Sequence, residues 1–197
     1  YLRAEVKPSD VVWSYAGVRP LVDDGSGKPE TASRGYRFDI DTDDQGKEPL
    51  LSVFGGKITT YRHLAEGAVT ELARWLPQLA CDSWTADVAL PGGDCGIDGI
   101  AQLNADIAAR YPFLDAFSQR RIARSYGSLA YDWLGQATSL SDLGQHFGHG
   151  LTEAEVRYLV DREWAINAED ILWRRSKLGL RFIAKEQAAL ETFLAHK

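Results

Sequence analysis

The chain has 197 residues, of which 45 % are hydrophobic and 25 % charged, with a net charge of −6 at neutral pH and two cysteines. That length and apolar content suffice for one sizeable core, or for a small domain beside a portion of another, and exclude a disordered chain. The acidic balance argues against general nucleic-acid binding, which needs a cationic face to displace phosphate counterions, and no apolar run approaches the roughly 20 residues that span a bilayer.

Residues 11–16, Val-Val-Trp-Ser-Tyr-Ala, read as a strand rich in branched and aromatic side chains. Gly17-Val18-Arg19-Pro20 follows, and Pro20 pushes Arg19 towards an extended backbone at the strand end. Residues 23–30, rich in Gly, Asp, Ser and Pro, read as a loop. Arg34 precedes a second strand over residues 36–40, and residues 41–48 form another loop. Residues 50–62, Leu-Leu-Ser-Val-Phe-Gly-Gly-Lys-Ile-Thr-Thr-Tyr-Arg, are the most informative stretch. Leu50, Leu51, Val53 and Phe54 have the composition of a buried strand, whereas Leu64, Ala68, Leu72 and Trp75 recur at helical spacing. Strand, glycines and helix place Gly55 and Gly56 where the backbone is bare and where the next helix aims unpaired N–H groups and its positive dipole end. Lys57 adds a mobile charge there. Arg19, Arg34 and Lys57 thus form a set of cations at strand ends in an acidic chain, the composition that a phosphate or carboxylate ligand requires.

The pattern changes near Cys81. Leu90-Pro91-Gly92-Gly93 is a breaker cluster that reads as a linker, and beyond it the periodicity is helical throughout. Asp98 is placed to cap a helix whose face carries Ile100, Leu103, Ile107 and Tyr111, stopped by Pro112. A second helix carries Phe113, Phe117 and Ile122 and ends at Gly127. Thr152 and Glu155 have capping-box spacing, with Val156, Leu159, Val160 and Trp164 as the inward stripe. Asn167 opens a helix that ends in Arg174, Arg175 and Lys177 before Gly179, and a last helix runs through Leu190, Phe193 and Leu194. The division is residues 1–80, a linker over residues 81–93, and an all-helical unit over residues 94–197. The fold class is mainly α with a smaller β part (α+β).

Other residues read as structural. Cys81 and Cys95 suit packing in a reducing compartment rather than a disulfide scaffold or metal motif. His146 and His149 have no carboxylate or thiolate at a ligand interval, so no metal site is assigned. Trp133, Trp164 and Trp173 fit core or interface positions. The run Arg174-Arg175-Ser176-Lys177 fits a helix terminus better than an anionic lipid surface. His63 is left outside the chemistry.

Several motifs resemble the carboxy-terminal part of the flavin-dependent, aerobic glycerol-3-phosphate dehydrogenases. They are the segment from Tyr15 to Leu21, the Arg34-Gly35-Tyr36 step and the segment from Leu51 to Arg62. Leu90-Pro91-Gly92-Gly93, Arg110-Tyr111-Pro112-Phe113-Leu114, Phe147-Gly148-His149 and Leu172-Trp173-Arg174-Arg175-Ser176-Lys177-Leu178-Gly179 follow in the family's order. The resemblance implies hydride transfer from glycerol 3-phosphate to FAD, giving dihydroxyacetone phosphate, with electrons passed to a membrane quinone. It implies that Gly55, Gly56, Lys57, Ile58 and Thr59 face the flavin, that Arg19 and Arg34 bind substrate, and that Lys57 bridges the two, with Arg19 and Lys57 close to the reacting centre. It also implies a carboxy-terminal helical bundle preceded by the last strands and helix of a flavin- and substrate-binding domain. The family's Gly-x-Gly-x-x-Gly nucleotide motif and any methionine are missing from this sequence. The chain therefore reads as a carboxy-terminal fragment that by itself neither holds FAD tightly nor turns over substrate. Its expected partner is an amino-terminal FAD domain, with a homodimer left open, in the cytoplasm and peripherally attached to the inner face of the membrane. Two alternatives stay open: a flavin-dependent amino-acid oxidase relative, since those enzymes share the Gly-x-Arg-Pro step, and a non-catalytic helical interaction module.

Overall fold

A computed structural model describes residues 5–18, 21–22 and 33–196. The chain divides into two compact units, Tyr1–Val88 and Ala89–Lys197.

In the first unit, β1 (Tyr36–Asp41) and β2 (Leu50–Gly55) pair antiparallel, from Tyr36 opposite Gly55 to Asp41 opposite Leu50. A short 3₁₀ turn, Ile58–Thr60, leads directly into α1 (Tyr61–Leu72). The helix lies close to the hairpin because Gly67 has no side chain: a Cβ there would come within 3.2 Å of the Phe38 ring. Beyond α1, the Trp75 indole donates to the Gly46 carbonyl (2.9 Å), tying this end to the hairpin loop. Residues 11–16 do not form the expected strand. Residues 11–18 adopt no regular structure; a strand needs a partner ladder, and among the described residues β1 and β2 pair only with each other. No described residue of this unit is fully buried, in keeping with the two-stranded sheet and one long helix described in it.

The second unit holds all the buried residues described. Its elements are α2 (Ile100–Arg110), α3 (Ala116–Tyr126), α4 (Ala130–Leu134), β3 (His146–Gly148), β4 (Leu151–Thr152), α5 (Glu153–Glu163), a π-helical stretch Asp170–Arg175 and α6 (Ala184–Ala195). Leu103 and Ile107 of α2, Ile122 and Ala123 of α3, Val156 and Leu159 of α5, Ile171 and Leu172, and Leu190 of α6 meet in one core. The fold is mainly helical with small two-stranded sheets. Gly92 and Gly127 cross backbone to backbone: a Cβ on Gly127 would fall 1.8 Å from the Gly92 carbonyl oxygen. Ser128 donates its amide to that oxygen (3.2 Å) and its hydroxyl to Asp94, so residues 92–94 are held against the end of α3.

Local chemistry moves several expected boundaries. Asp98 does not cap α2; Gly99 occupies that position and makes no side-chain bond. Phe113 precedes α3 rather than lying in it, since the Asp115 carboxylate accepts from the Ser118 amide (2.9 Å) and fixes the start at Ala116. Thr152 and Glu155 make no capping box, because Glu155 is diverted into the core. Trp164 takes a left-handed conformation just past α5 and is 84 % exposed, so it leaves the inward stripe. The helix opens at Asn167 as expected, its side chain accepting from the Asp170 amide (2.9 Å), but it is π-wound from Asp170: the Ser176 amide and hydroxyl both donate to the Ile171 carbonyl five residues back (3.0 and 2.7 Å).

Candidate functional site

The corner between β2 and α1 is built by glycines. Gly55 and Gly56 have φ of +75° and +95°, which side-chain-bearing residues rarely adopt. A Cβ on Gly55 would lie 2.6 Å from the Gly35 carbonyl oxygen and 2.7 Å from Val22, and one on Gly56 would lie 3.3 Å from Leu64. On the side where a Cβ would stand, these two glycines are packed against the chain itself, and both remain partly exposed. The next three residues are more open: Lys57, Ile58 and Thr59 are exposed, Ile58 to 85 %.

The same packing brings Arg34 to this corner. The Gly56 amide donates to the Gly35 carbonyl at 2.9 Å, so the backbone next to Arg34 is bonded to the backbone next to Lys57. Both side chains are exposed, and neither makes an ion pair among the described residues. The turn is fixed internally: the Thr60 amide and hydroxyl both donate to the Lys57 carbonyl, each at 3.0 Å. No acceptor for the Ile58 or Thr59 amide is found among the described residues. Two cations and two free amides at one exposed corner suit an anion, and suit equally a ring that gains negative charge on reduction. Arg19 lies outside the described residues.

Sequence reading missed what lies one turn further on. Glu66 of α1 accepts from the hydroxyls of Ser83 and Thr85 and from Arg62 Nη1 (3.2 Å). Those bonds hold its carboxyl below the usual range, the Ser83 hydroxyl contributing most and the Thr85 hydroxyl next, against the opposing effect of burial. The i,i+4 spacing of Arg62 and Glu66 was a visible signal; the two hydroxyls, 17 and 19 residues downstream, gave none.

In the second unit, the Arg121 guanidinium forks onto both oxygens of Glu155 and also reaches the Gly150 carbonyl (3.3 Å). Tyr126 donates to the same carboxylate at 2.6 Å. The ion-pair side chains are 8 % and 0 % exposed. Burial, then the Glu155 charge, pushes the Tyr126 phenol far up. The cluster is buried and ties α3 to α5, a structural role. His146 accepts from the Gly150 amide (3.2 Å), and His149 faces Glu186 at 3.5 Å. Among the described residues no three His, Cys, Asp or Glu side chains gather as metal ligands, and no helix is long and apolar enough to cross a membrane.

Comparison with known proteins bears on both units. A family model described as the C-terminal domain of alpha-glycerophosphate oxidase matches residues 83–195. The chain is 45 % identical over 195 residues to the aerobic glycerol-3-phosphate dehydrogenase of Escherichia coli (strain K12), covering 98 % of this chain and 38 % of that protein. It is 44 % identical over 189 residues to the D-erythritol 1-phosphate dehydrogenase of Brucella abortus (strain 2308), covering 96 % and 37 %. It is 43 % identical over 194 residues to a glycerol-3-phosphate dehydrogenase of Pseudomonas aeruginosa, covering 98 % and 37 %. The chain thus spans less than two-fifths of the length of these relatives.

Proposed function

Because the chain belongs to the family defined by the C-terminal domain of alpha-glycerophosphate oxidase, we propose that it forms the carboxy-terminal portion of an FAD-dependent oxidoreductase that converts glycerol 3-phosphate to dihydroxyacetone phosphate. The observation that carries this reading is the Gly56–Gly35 bond, which sets Arg34 beside the exposed Lys57–Thr59 turn. When bound, FAD supplies the acceptor for the hydride leaving the substrate's secondary carbon. Arg34 binds the dianionic phosphate through charge-assisted bonds, which are about twice as strong as neutral ones. Lys57 would add a further cation for the phosphate, and the Ile58 and Thr59 amides would favour the negative charge that a bound flavin gains on reduction. Arg19 contributes a further contact near the reacting hydroxyl or the phosphate. The quinone acceptor, the amino-terminal FAD domain and peripheral attachment to the membrane's inner face belong to the same proposal.

The test is steady-state kinetics on the full-length enzyme. Arg34→Ala removes a charged hydrogen-bond donor to phosphate and is expected to raise KM for glycerol 3-phosphate at least about ten-fold. Unchanged handling of the substrate would remove Arg34 from the site.

The Brucella relative favours a second reading in which a four-carbon polyol phosphate is the substrate. Both substrates present a phosphate to the same cations. Comparing kcat/KM for glycerol 3-phosphate and D-erythritol 1-phosphate decides between them.

A further inference from the structure

We propose that Glu66 is a positioning residue for the corner at residues 55–59, holding α1 and its leading turn in place through a polar clasp onto residues 83–85. The inference rests on the reading above that this corner faces substrate and flavin.

One Glu66 oxygen gathers the Ser83 hydroxyl, the Thr85 hydroxyl and the Arg62 guanidinium, while the other lies 3.9 Å from His63 Nδ1. Arg62 is itself held, with its guanidinium 3.5 Å from the Thr85 hydroxyl and 3.3 Å from His63 Nε2. The carboxylate is only 20 % exposed, so these bonds are less screened than those of an open surface pair.

Packing alone does not do this job, since the contact of Leu64 with Gly56 is not part of a closed core. The first unit buries no described residue completely, so α1 is not fixed by a core. Between α1 and the returning segment 79–85 lies an open groove of about 630 Å³, lined by Ala65, Val69, Ala73 and Leu79 among others. The side-chain hydrogen bonds described between the two pieces of chain are those of Glu66 and Arg62 with Ser83 and Thr85. Elsewhere α1 meets the hairpin through apolar contacts, Leu64 on Gly56 and Gly67 on Phe38, and the residues after it are tied at Trp75. Among the described residues, the clasp is therefore the polar tie to another segment in the half of the helix nearer to the corner.

Displacement at Glu66 reaches the corner because the backbone between them is continuous helix. The Thr60 amide bonds the Lys57 carbonyl, the Tyr61 amide bonds the Ile58 carbonyl, and α1 begins at Tyr61. A rigid helix that slides or tilts carries Lys57 and the Ile58 and Thr59 amides with it. Misplacement of binding groups by about 1 Å is enough to cost a site much of its effect.

The experiment uses the full-length enzyme carrying Glu66→Leu, Glu66→Gln, the double change Ser83→Ala/Thr85→Val, or Lys57→Ala. KM and kcat for glycerol 3-phosphate, flavin absorbance per protein and Tm are measured for each. Glu66→Leu is expected to keep its flavin and raise KM about ten-fold with kcat within about two-fold, and Glu66→Gln, which retains an acceptor of the same shape, to recover most of the loss. If Glu66→Leu does not fold, the double change must show the same rise in KM, since it removes the donors and leaves Glu66 in place. A lowered Tm with unchanged KM in either variant overturns the proposal and leaves the clasp merely structural. Lys57→Ala separates the two levels. If it leaves kcat/KM unchanged, the corner is not the site; if it cripples the enzyme while the clasp variants behave as wild type, only the clasp fails.

Discussion

Glu155 shows how one buried charge can override local sequence logic. Three residues after the Thr152 that starts α5, its spacing is that of a capping box, yet its carboxylate turns inward to Arg121 and Tyr126. Thr152 is left with a buried hydroxyl oxygen that has no hydrogen-bond partner. The exchange is favourable because an unpaired buried guanidinium costs more than an unmade cap. Replacing one partner is therefore the severe change: Glu155→Gln is expected to cost about 3–5 kcal/mol by leaving the Arg121 charge uncompensated. Tyr126→Phe, which removes one donor and leaves the ion pair intact, is expected to cost about 1.5–3 kcal/mol. Urea denaturation followed by circular dichroism would rank the two. Equal effects would mean that the hydroxyl, rather than the pairing of charges, holds α3 to α5.

Helix ends in this chain are set by two devices, and they differ in strength. Asp115 caps α3 through a bond from the Ser118 amide, and Asp115→Ala is expected to cost about 1 kcal/mol. At the other end of the same helix, Gly127 combines φ of +58° with contact against the Gly92 backbone, so Gly127→Ala must strain the chain and push the touching backbone segments apart. Its expected cost exceeds about 2 kcal/mol, and the difference from Asp115→Ala is readable in the midpoint of a single urea titration. Gly127 was legible in the sequence as a helix stop, as were Tyr36–Asp41, Leu50–Gly55 and the helix after the glycines, because hydrophobic period and breakers are local signals. Residues 11–16 have strand composition without a described partner ladder, and composition does not encode pairing. The hairpin β3–β4, only three and two residues long, was missed because such runs are too short to show a period. At the candidate site, Arg34, Lys57 and the glycines were named from sequence. That Gly55 and Gly56 pack on Gly35, Val22 and Leu64, and that Ser83 and Thr85 return to Glu66, depends on contacts a linear reading does not contain.

Over the whole molecule, the acid limb of stability is written in carboxylates that accept fixed hydrogen bonds. Asp115 is held below its ordinary range first by the Ser118 amide, Asp142 by the Thr138 amide, Glu153 by the Arg157 side chain, Asp170 by the Ile166 amide and Glu66 by the Ser83 hydroxyl. Each binds its proton less readily when folded than when unfolded. The stability they add is therefore complete above the unfolded carboxylate range of about 4 and is lost as pH falls through the lower folded values. Four of the five lie in the second unit, at the starts or flanks of its helices, so that unit has most to lose. The expected outcome is a urea midpoint that holds between about pH 5 and 7 and falls progressively below about pH 4. Asp115→Asn with Asp142→Asn should lower the plateau at neutral pH and flatten the fall, because the folded state then has fewer low-affinity proton sites to fill. A double variant whose midpoint falls as steeply as the parent's would assign the acid limb to the other three carboxylates or to general charge repulsion. Since the acid form is the one that loses the caps, adding salt at pH 3 should not restore the midpoint if the caps are responsible, whereas screening would restore it if repulsion were.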